Sequence, residues 1–501
     1  MDTTQALQQL EELQQKLFAL NYALSAINLD AVTAAPPDTA EGRGLAQGVL
    51  SSYLYPLAYG TETGELLSYL TAHKAELSER DARIVEEMKR SYDETHQMPQ
   101  EEYVAYQVLL GEAQSVWHKA KAANDYAAFA PYLEKIIDAN RRIASYMDAS
   151  RPAYEVLLDS YERGLTTQQL DAFFDQLRSV IVPLLHRIQT EGTPIDDSFL
   201  YQEYPIEQQR QLSDYLMEVL GIDRAHCSIA ETEHPFTSNF DRNDVRITTH
   251  YYLHDVASSM YSVIHESGHA LYELGVSETY DHTALAGGVS MGIHESQSRL
   301  FENMFGRSEG FINRIYPKLL ELFPSQLSGV SAHDFYRAVN KVEPSLIRTE
   351  ADELTYCLHI MVRYEIEKQM IAGTVTVQDL PALWAQKMQE YLGIDVPSDR
   401  EGVLQDSHWS GGAIGYFPTY ALGSAYAAQF VHRMQQDFPV YEAVAEGDFS
   451  KINAWLDEHI HQYGRFYPPA ELFRRCCEAE FDSKYYTDYL TQKFSKIYQL
   501  D

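Results

Sequence analysis

The chain has 501 residues, of which 45% are apolar and 22% charged, and its 12% aromatics include 36 tyrosines. That is ample material for a large folded core and too much for a disordered chain. Acidic residues number 73 against 39 basic ones, a net charge of −34, which excludes a general nucleic-acid binder and a protein that docks on anionic membranes, because both need a basic face.

At the N-terminus Leu7, Leu10, Leu13, Leu17 and Leu20 recur at three- and four-residue steps, the apolar stripe of an opening helix. This stretch has no basic segment followed by an apolar core, so no signal peptide is expected. Pro36-Pro37 ends the pattern. From about 40 to 225 the text stays mostly helical, with breaks near Gly60, Pro99, Pro152 and Gly192-Thr193-Pro194. Residues 234–249 read differently. Thr237 to Phe240 and Val245 to Thr249 are short and β-prone, and Asp241-Arg242-Asn243-Asp244 between them is turn-like, which predicts a hairpin. The fold class is therefore mainly α with a small β-sheet. No linker or repeat marks a boundary, so residues 1–501 read as one domain. No run of about 18 apolar residues can span a bilayer. Cys227, Cys357, Cys476 and Cys477 form no C-x-x-C pair, so a reducing, cytoplasmic setting is expected.

Seven of the 18 histidines fall between 234 and 294, where even spacing would put about two. Among them is His265-Glu266-Ser267-Gly268-His269, an H-E-x-x-H motif. Asp255 can cap a helix from Val256 to Leu274, and Gly275 can end it. Residues four apart share a helix face, so both imidazoles can reach one ion. Glu266 can then take a proton from water activated by that ion. The bland alternative is a solvated helix with two surface histidines.

A catalytic zinc usually has three protein ligands and one open position. The extended motif with a further Gly and His is absent, since Tyr272 stands where the Gly would be. The next candidate is His294-Glu295-Ser296-Gln297, on a helix that Ser290 could cap and that would continue to Met304. Either His294 or Glu295 could be the ligand. Glutamate on a second helix is the usual partner of H-E-x-x-H in one large peptidase group, which favours Glu295.

These motifs, with His234-Pro235-Phe236, Asp244-Val245-Arg246-Ile247-Thr248, Ile347-Arg348-Thr349-Glu350-Ala351-Asp352-Glu353-Leu354-Thr355-Tyr356 and Gly402-Val403-Leu404-Gln405-Asp406-Ser407-His408-Trp409, resemble the signature blocks of the thermostable (Taq-type) zinc carboxypeptidases. The blocks occur in order across residues 234–409. The resemblance implies a large helical metallopeptidase with a deep substrate groove between two halves, a metal-site core at about 234–420 and a homodimer. It implies release of single C-terminal residues from peptides with broad specificity. It carries over His265, His269 and Glu295 as ligands of one Zn2+ per chain, with Co2+ able to substitute, and Glu266 as general base.

A carboxypeptidase must recognise a free carboxylate, and the planar fork of arginine suits this best. Arg348 is the first candidate, at the start of a helix that Thr349 could cap; the alternative is a surface arginine paired with Glu350 or Asp352. Arg246 is the second candidate, with a cross-strand ion pair as its alternative. The segment His408-Trp409-Ser410-Gly411-Gly412-Ala413-Ile414-Gly415-Tyr416-Phe417-Pro418-Thr419-Tyr420 reads as a mobile loop over a site. In other deep-groove H-E-x-x-H peptidases a histidine, paired glycines and a tyrosine line the groove. By that analogy Tyr420 donates to the oxyanion and His408 holds the substrate backbone, with Tyr416 as the weaker alternative and core packing as the plain one. His234 is placed on a strand edge near the scissile bond, against an ordinary lone histidine. Two other functions compete: an oligopeptidase that releases dipeptides or cuts internally, and a protein that uses zinc only as a structural staple.

Overall fold

Asp2 opens the first helix, Thr3–Thr33, by accepting a hydrogen bond from the Gln5 amide while the Gln5 side-chain oxygen accepts one from the Asp2 amide, a reciprocal capping box. A computed structural model describes residues 2–500. The stripe Ala6, Leu10 and Leu13 packs on Leu66, Leu67 and Leu70 of helix Thr61–Ala72 and on Ile84 and Val85 of helix Glu79–His96, forming a small separate core. A much larger core runs from Ala113 to Tyr498 and contains the elements that build the site.

The molecule is mainly helical, with a single three-stranded sheet among the described residues. The strands are β1 (Cys227–Glu231), β2 (Thr237–Asp241) and β3 (Asp244–Thr249), in spatial order β1-β3-β2. The β2–β3 hairpin follows the sequence reading and contains an irregularity between Asn239 and Asp241. Strand β1 was not expected. It lies parallel to β3, with Cys227 opposite Val245 and Ile229 opposite Ile247, and its partner is distant in sequence, so local alternation does not announce it.

Val245 and Ile247 are fully buried, on the side where helix Val256–Leu274 packs. Asp255 caps that helix through the Ser258 amide at 3.1 Å. Ser290 likewise caps helix Met291–Arg299 through the Ile293 amide at 3.2 Å. The latter helix does not remain α to Met304: it changes at Leu300 to a π-helix reaching Gly306, a local form common at functional sites. Helix Pro418–Asp437 covers its other side. All four cysteines are buried and unpaired. No described helix is long and apolar enough to cross a membrane.

Candidate metal centre

The i, i+4 spacing puts His265 and His269 on one face of helix Val256–Leu274, and helix Met291–Arg299 brings Glu295 to them. Their ligand atoms all lie within 4.8 Å of one another. Glu295 Oε2 is 3.8 Å from His265 Nε2 and 3.6 Å from His269 Nε2. Two glycines permit this approach. A Cβ on Gly268 would sit 2.6 Å from the Gln297 carbonyl oxygen, and one on Gly423 would sit 2.5 Å from Glu295 Cγ. The helix carrying the acid is thus clamped between two helices at distances only glycine allows.

Two nitrogens and one carboxylate oxygen, converging with no fourth His, Cys, Asp or Glu donor in the cluster among the described residues, suit an open catalytic metal site better than a closed structural one. The rest of the shell agrees. His265 Nδ1 meets Glu302 Oε2 at 2.9 Å, and Glu302 is held by Arg299 at 3.1 Å and Arg307 at 3.3 Å. His269 Nδ1 meets His294 Nδ1 at 2.7 Å, and His294 Nε2 meets Glu273 Oε1 at 2.7 Å. Each ligand imidazole therefore has its Nδ1 engaged and its Nε2 turned to the ion position. Burial pushes His269 down to about 4, so it is neutral and ready to ligate at pH 7. Burial opposes the charge of Glu295, but Arg299 and His265 outweigh it and hold the acid below the usual carboxylate range. His294, the alternative ligand, faces away into the Glu273 contact.

Glu266 is buried beside the triad. Thr237 Oγ1 of β2 donates to its Oε2 at 2.6 Å, and no hydrogen bond is made to Oε1 among the described residues. Burial raises its pKa, with His265 and Thr237 pulling the other way. A raised carboxylate pKa improves a general base working near neutral pH.

Arg348 is 7% exposed. Its Nε donates to Asp406 Oδ1 at 2.9 Å and its Nη1 to the Tyr356 hydroxyl at 3.0 Å, leaving Nη2 without a partner among the described residues. Asp406 also takes Arg363 Nε at 2.7 Å. Burial disfavours its charge, but Arg363 and Arg348 keep it well below the ordinary range. Arg348 does not start an α-helix, and Thr349 is no cap. Residues Arg348–Glu350 form one 3-10 turn, and Asp352 caps helix Glu353–Ala372 through the Leu354 and Thr355 amides. A carboxylate one turn further on outcompetes the threonine hydroxyl as acceptor.

His408 Nε2 lies 3.1 Å from the Tyr420 hydroxyl, while its buried Nδ1 has no hydrogen-bond partner among the described residues. Burial, reinforced by the Arg348 and Arg363 charges and opposed by Asp406, pushes His408 to about 4. Tyr420 lies under the Arg348 guanidinium, 5.1 Å from ring centre to Cζ. Tyr416 packs edge-on against Tyr420 at 5.1 Å. The segment carrying them is pinned rather than loose: Glu367 accepts from Trp409 Nε1 at 2.8 Å and from the Gly415 amide at 2.9 Å. Arg246 is engaged elsewhere, gripping Asp244 with two 2.7 Å bonds and lying 4.1 Å over Phe240. His234 is exposed between β1 and β2, and no described contact joins either residue to the triad. The supporting residues Arg299, Glu302, Glu273, Thr237 and Tyr356 had no assigned role in the sequence reading; helix spacing of 295, 299 and 302 is the one signal that could have pointed to the first two.

The family model for carboxypeptidase Taq (M32) metallopeptidases matches residues 9–494. Carboxypeptidase 1 of Bacillus subtilis is 41% identical over 479 residues, covering 95% of this chain and 96% of that protein. Thermostable carboxypeptidase 1 of Pyrococcus furiosus is 37% identical over 484 residues, 96% of each chain. The crystal structure of the M32 carboxypeptidase from Deinococcus radiodurans R1 superposes with a TM-score of 0.96 at 35% identity, covering 99% of this chain and all of the other. The chain therefore belongs to the carboxypeptidase Taq (M32) family and is a metal-dependent carboxypeptidase.

Proposed function

We propose that this protein removes single C-terminal residues from peptides of broad sequence, with one zinc ion held by His265, His269 and Glu295 and with Glu266 as general base. The observation that carries this reading is a continuous chain of contacts from ligand to anion-binding group. Glu295 is held by Arg299, Arg299 lies on Tyr356, and Tyr356 accepts from the buried Arg348. A buried arginine with one unpaired edge thus has a defined relation to the ligand cluster, which supports recognition of a free terminal carboxylate.

Zinc, when bound, supplies Lewis acidity at the scissile carbonyl and makes water easier to deprotonate. Arg348 binds the substrate's terminal carboxylate through its free Nη2 edge, charge-assisted and shielded from solvent. Arg348 is linked to Glu295 through Tyr356 and Arg299, whereas no described contact joins Arg246 to the triad, so this role falls to Arg348. Glu266 accepts the water proton on Oε1 while Thr237 holds Oε2, then delivers the proton to the leaving amine. Tyr420 donates to the developing oxyanion, and His408, neutral at pH 7, orients that phenol and contacts the substrate backbone. Tyr416 backs Tyr420, and His234 flanks the approach from the strand side.

The unpaired buried cysteines support a reducing, cytoplasmic setting. The homodimer and the tolerance of Co2+ rest on the family likeness. Mass spectrometry of a peptide digested with and without chelator tests the function. Stepwise loss of single residues from the C-terminus is expected, abolished by chelation, restored by Zn2+ and blocked by C-terminal amidation. Release of dipeptides, cutting of amidated peptides, or bound zinc with no cleavage contradicts it.

A further inference from the structure

We propose that Arg299 is a positioning residue that holds the metal-ligand carboxylate and the substrate-carboxylate arginine in one register. The second half of this rests on the reading just given; the first half does not.

The two oxygens of Glu295 have separate tasks. Oε2 faces the imidazoles, while Oε1 accepts Arg299 Nε at 2.7 Å. The same guanidinium reaches Glu302 Oε2 through Nη1 at 3.1 Å, and that oxygen also meets His265 Nδ1 at 2.9 Å. Arg299 therefore supports one ligand directly and a second through one intermediary. Its planar face lies over Tyr356, 4.3 Å from the ring centre, and the Tyr356 hydroxyl accepts from Arg348 Nη1. One side chain touches the supports of both functional groups.

The geometry requires arginine. Two acceptors at fixed angles and a stacked flat face need a guanidinium fork, whereas lysine offers a hydrated point charge on a flexible stem. The charge is also needed. The side chains of Glu295, Glu302 and Arg299 are 8%, 12% and 13% exposed. Glu302 has a second cation in Arg307, but Arg299 is the permanent cation in contact with Glu295. Without it, one carboxylate oxygen is buried and unpaired.

The test uses the full chain carrying Arg299→Lys. Zinc affinity, read by competition against a chromogenic chelator with no substrate present, should fall about 10–100-fold. At saturating zinc, KM for an N-blocked dipeptide with a free C-terminus should rise about tenfold, more than kcat falls. A purely structural arginine would lower the unfolding temperature and leave both quantities alone. Zinc affinity within twofold of wild type overturns the proposal, and weakened zinc with unchanged KM overturns the link to Arg348. If Arg299→Lys does not fold, the charge-balanced double variant Arg299→Gln/Glu302→Gln is read against Glu302→Gln alone, and equal zinc affinity and KM in the two overturns the proposal. Should the wild-type protein cut free and amidated C-termini equally well while Arg299→Lys still loses zinc, the metal half stands and the reading of Arg348 as the carboxylate-docking group fails.

Discussion

The clamp on Glu295 makes Gly423→Ala an informative perturbation. The new methyl carbon would sit 2.5 Å from Glu295 Cγ, 2.6 Å from its Cβ and 2.9 Å from its carbonyl carbon. Non-bonded carbons prefer about 3.5–4.0 Å, so the overlap is about 1 Å. The helix cannot retreat freely, because on its far side the backbone of Gln297 and Ser298 already meets Gly268 at distances closed to any Cβ. Overpacking of this kind costs about 1–3 kcal/mol. A ligand shifted by about 1 Å exceeds the roughly 0.5 Å tolerance of a working site and lowers turnover about 10²-fold. The assay is zinc competition, kcat on an N-blocked dipeptide and thermal unfolding of the same preparation. Gly48→Ala is the control: it lies in helix Ala40–Tyr59 with nothing within 4 Å of its Cβ position, so kcat should stay unchanged and stability should move by less than about 1 kcal/mol. The reasoning is refuted if Gly423→Ala binds zinc and turns over like the wild type, even with a lowered unfolding temperature.

Glu266→Gln keeps the shape of the base but cannot accept the water proton; zinc should stay bound, measured by metal analysis, while kcat drops by at least about 10², and full activity defeats the assignment. Arg348→Ala should chiefly raise KM and reduce the discrimination against C-terminally amidated peptides, read from the ratio of kcat/KM for the free and amidated substrates; unchanged discrimination would move carboxylate recognition elsewhere. Glu367, fully buried, accepts from the Tyr154 hydroxyl, Trp409 and Gly415, and burial pushes its pKa up to about 7 from an unfolded value of about 4.3. The folded state then holds this proton more tightly than the unfolded chain does, so the group's contribution is full below about pH 4 and declines as pH rises to about 7. Glu367→Gln has no such proton, so urea unfolding should show the variant gaining on the wild type across that window, by on the order of 3 kcal/mol. A stability gap that stays constant from pH 4 to 7 would be the wrong sign of evidence for a neutral buried acid.

Features that depend on neighbours within about one helical turn were legible in the chain. Asp255 and Ser290 cap helices by bonding amides three residues on, and the spacing of His265 and His269 places both imidazoles on one face before any packing is known. The β2–β3 hairpin was readable for the same reason, since its partners are adjacent in sequence. Strand β1 was not, because its pairing with β3 is parallel and non-local. Thr349 was read as a cap because the rule admits threonine and aspartate alike, and only the folded backbone shows that Asp352 takes the amides.

By itself the sequence determined the helix-rich class, the paired imidazoles and the glutamate next to the first of them, since periodicity and capping act through short stretches of backbone. Tertiary structure decided which of two adjacent residues turns to the two imidazoles, how Arg299 ties Glu295 to Tyr356 and Arg348, and that Arg246 pairs with Asp244. Those outcomes depend on which helices pack together and how closely. That distance is set by Gly268 and Gly423, whose missing side chains have meaning only once their neighbours are in place.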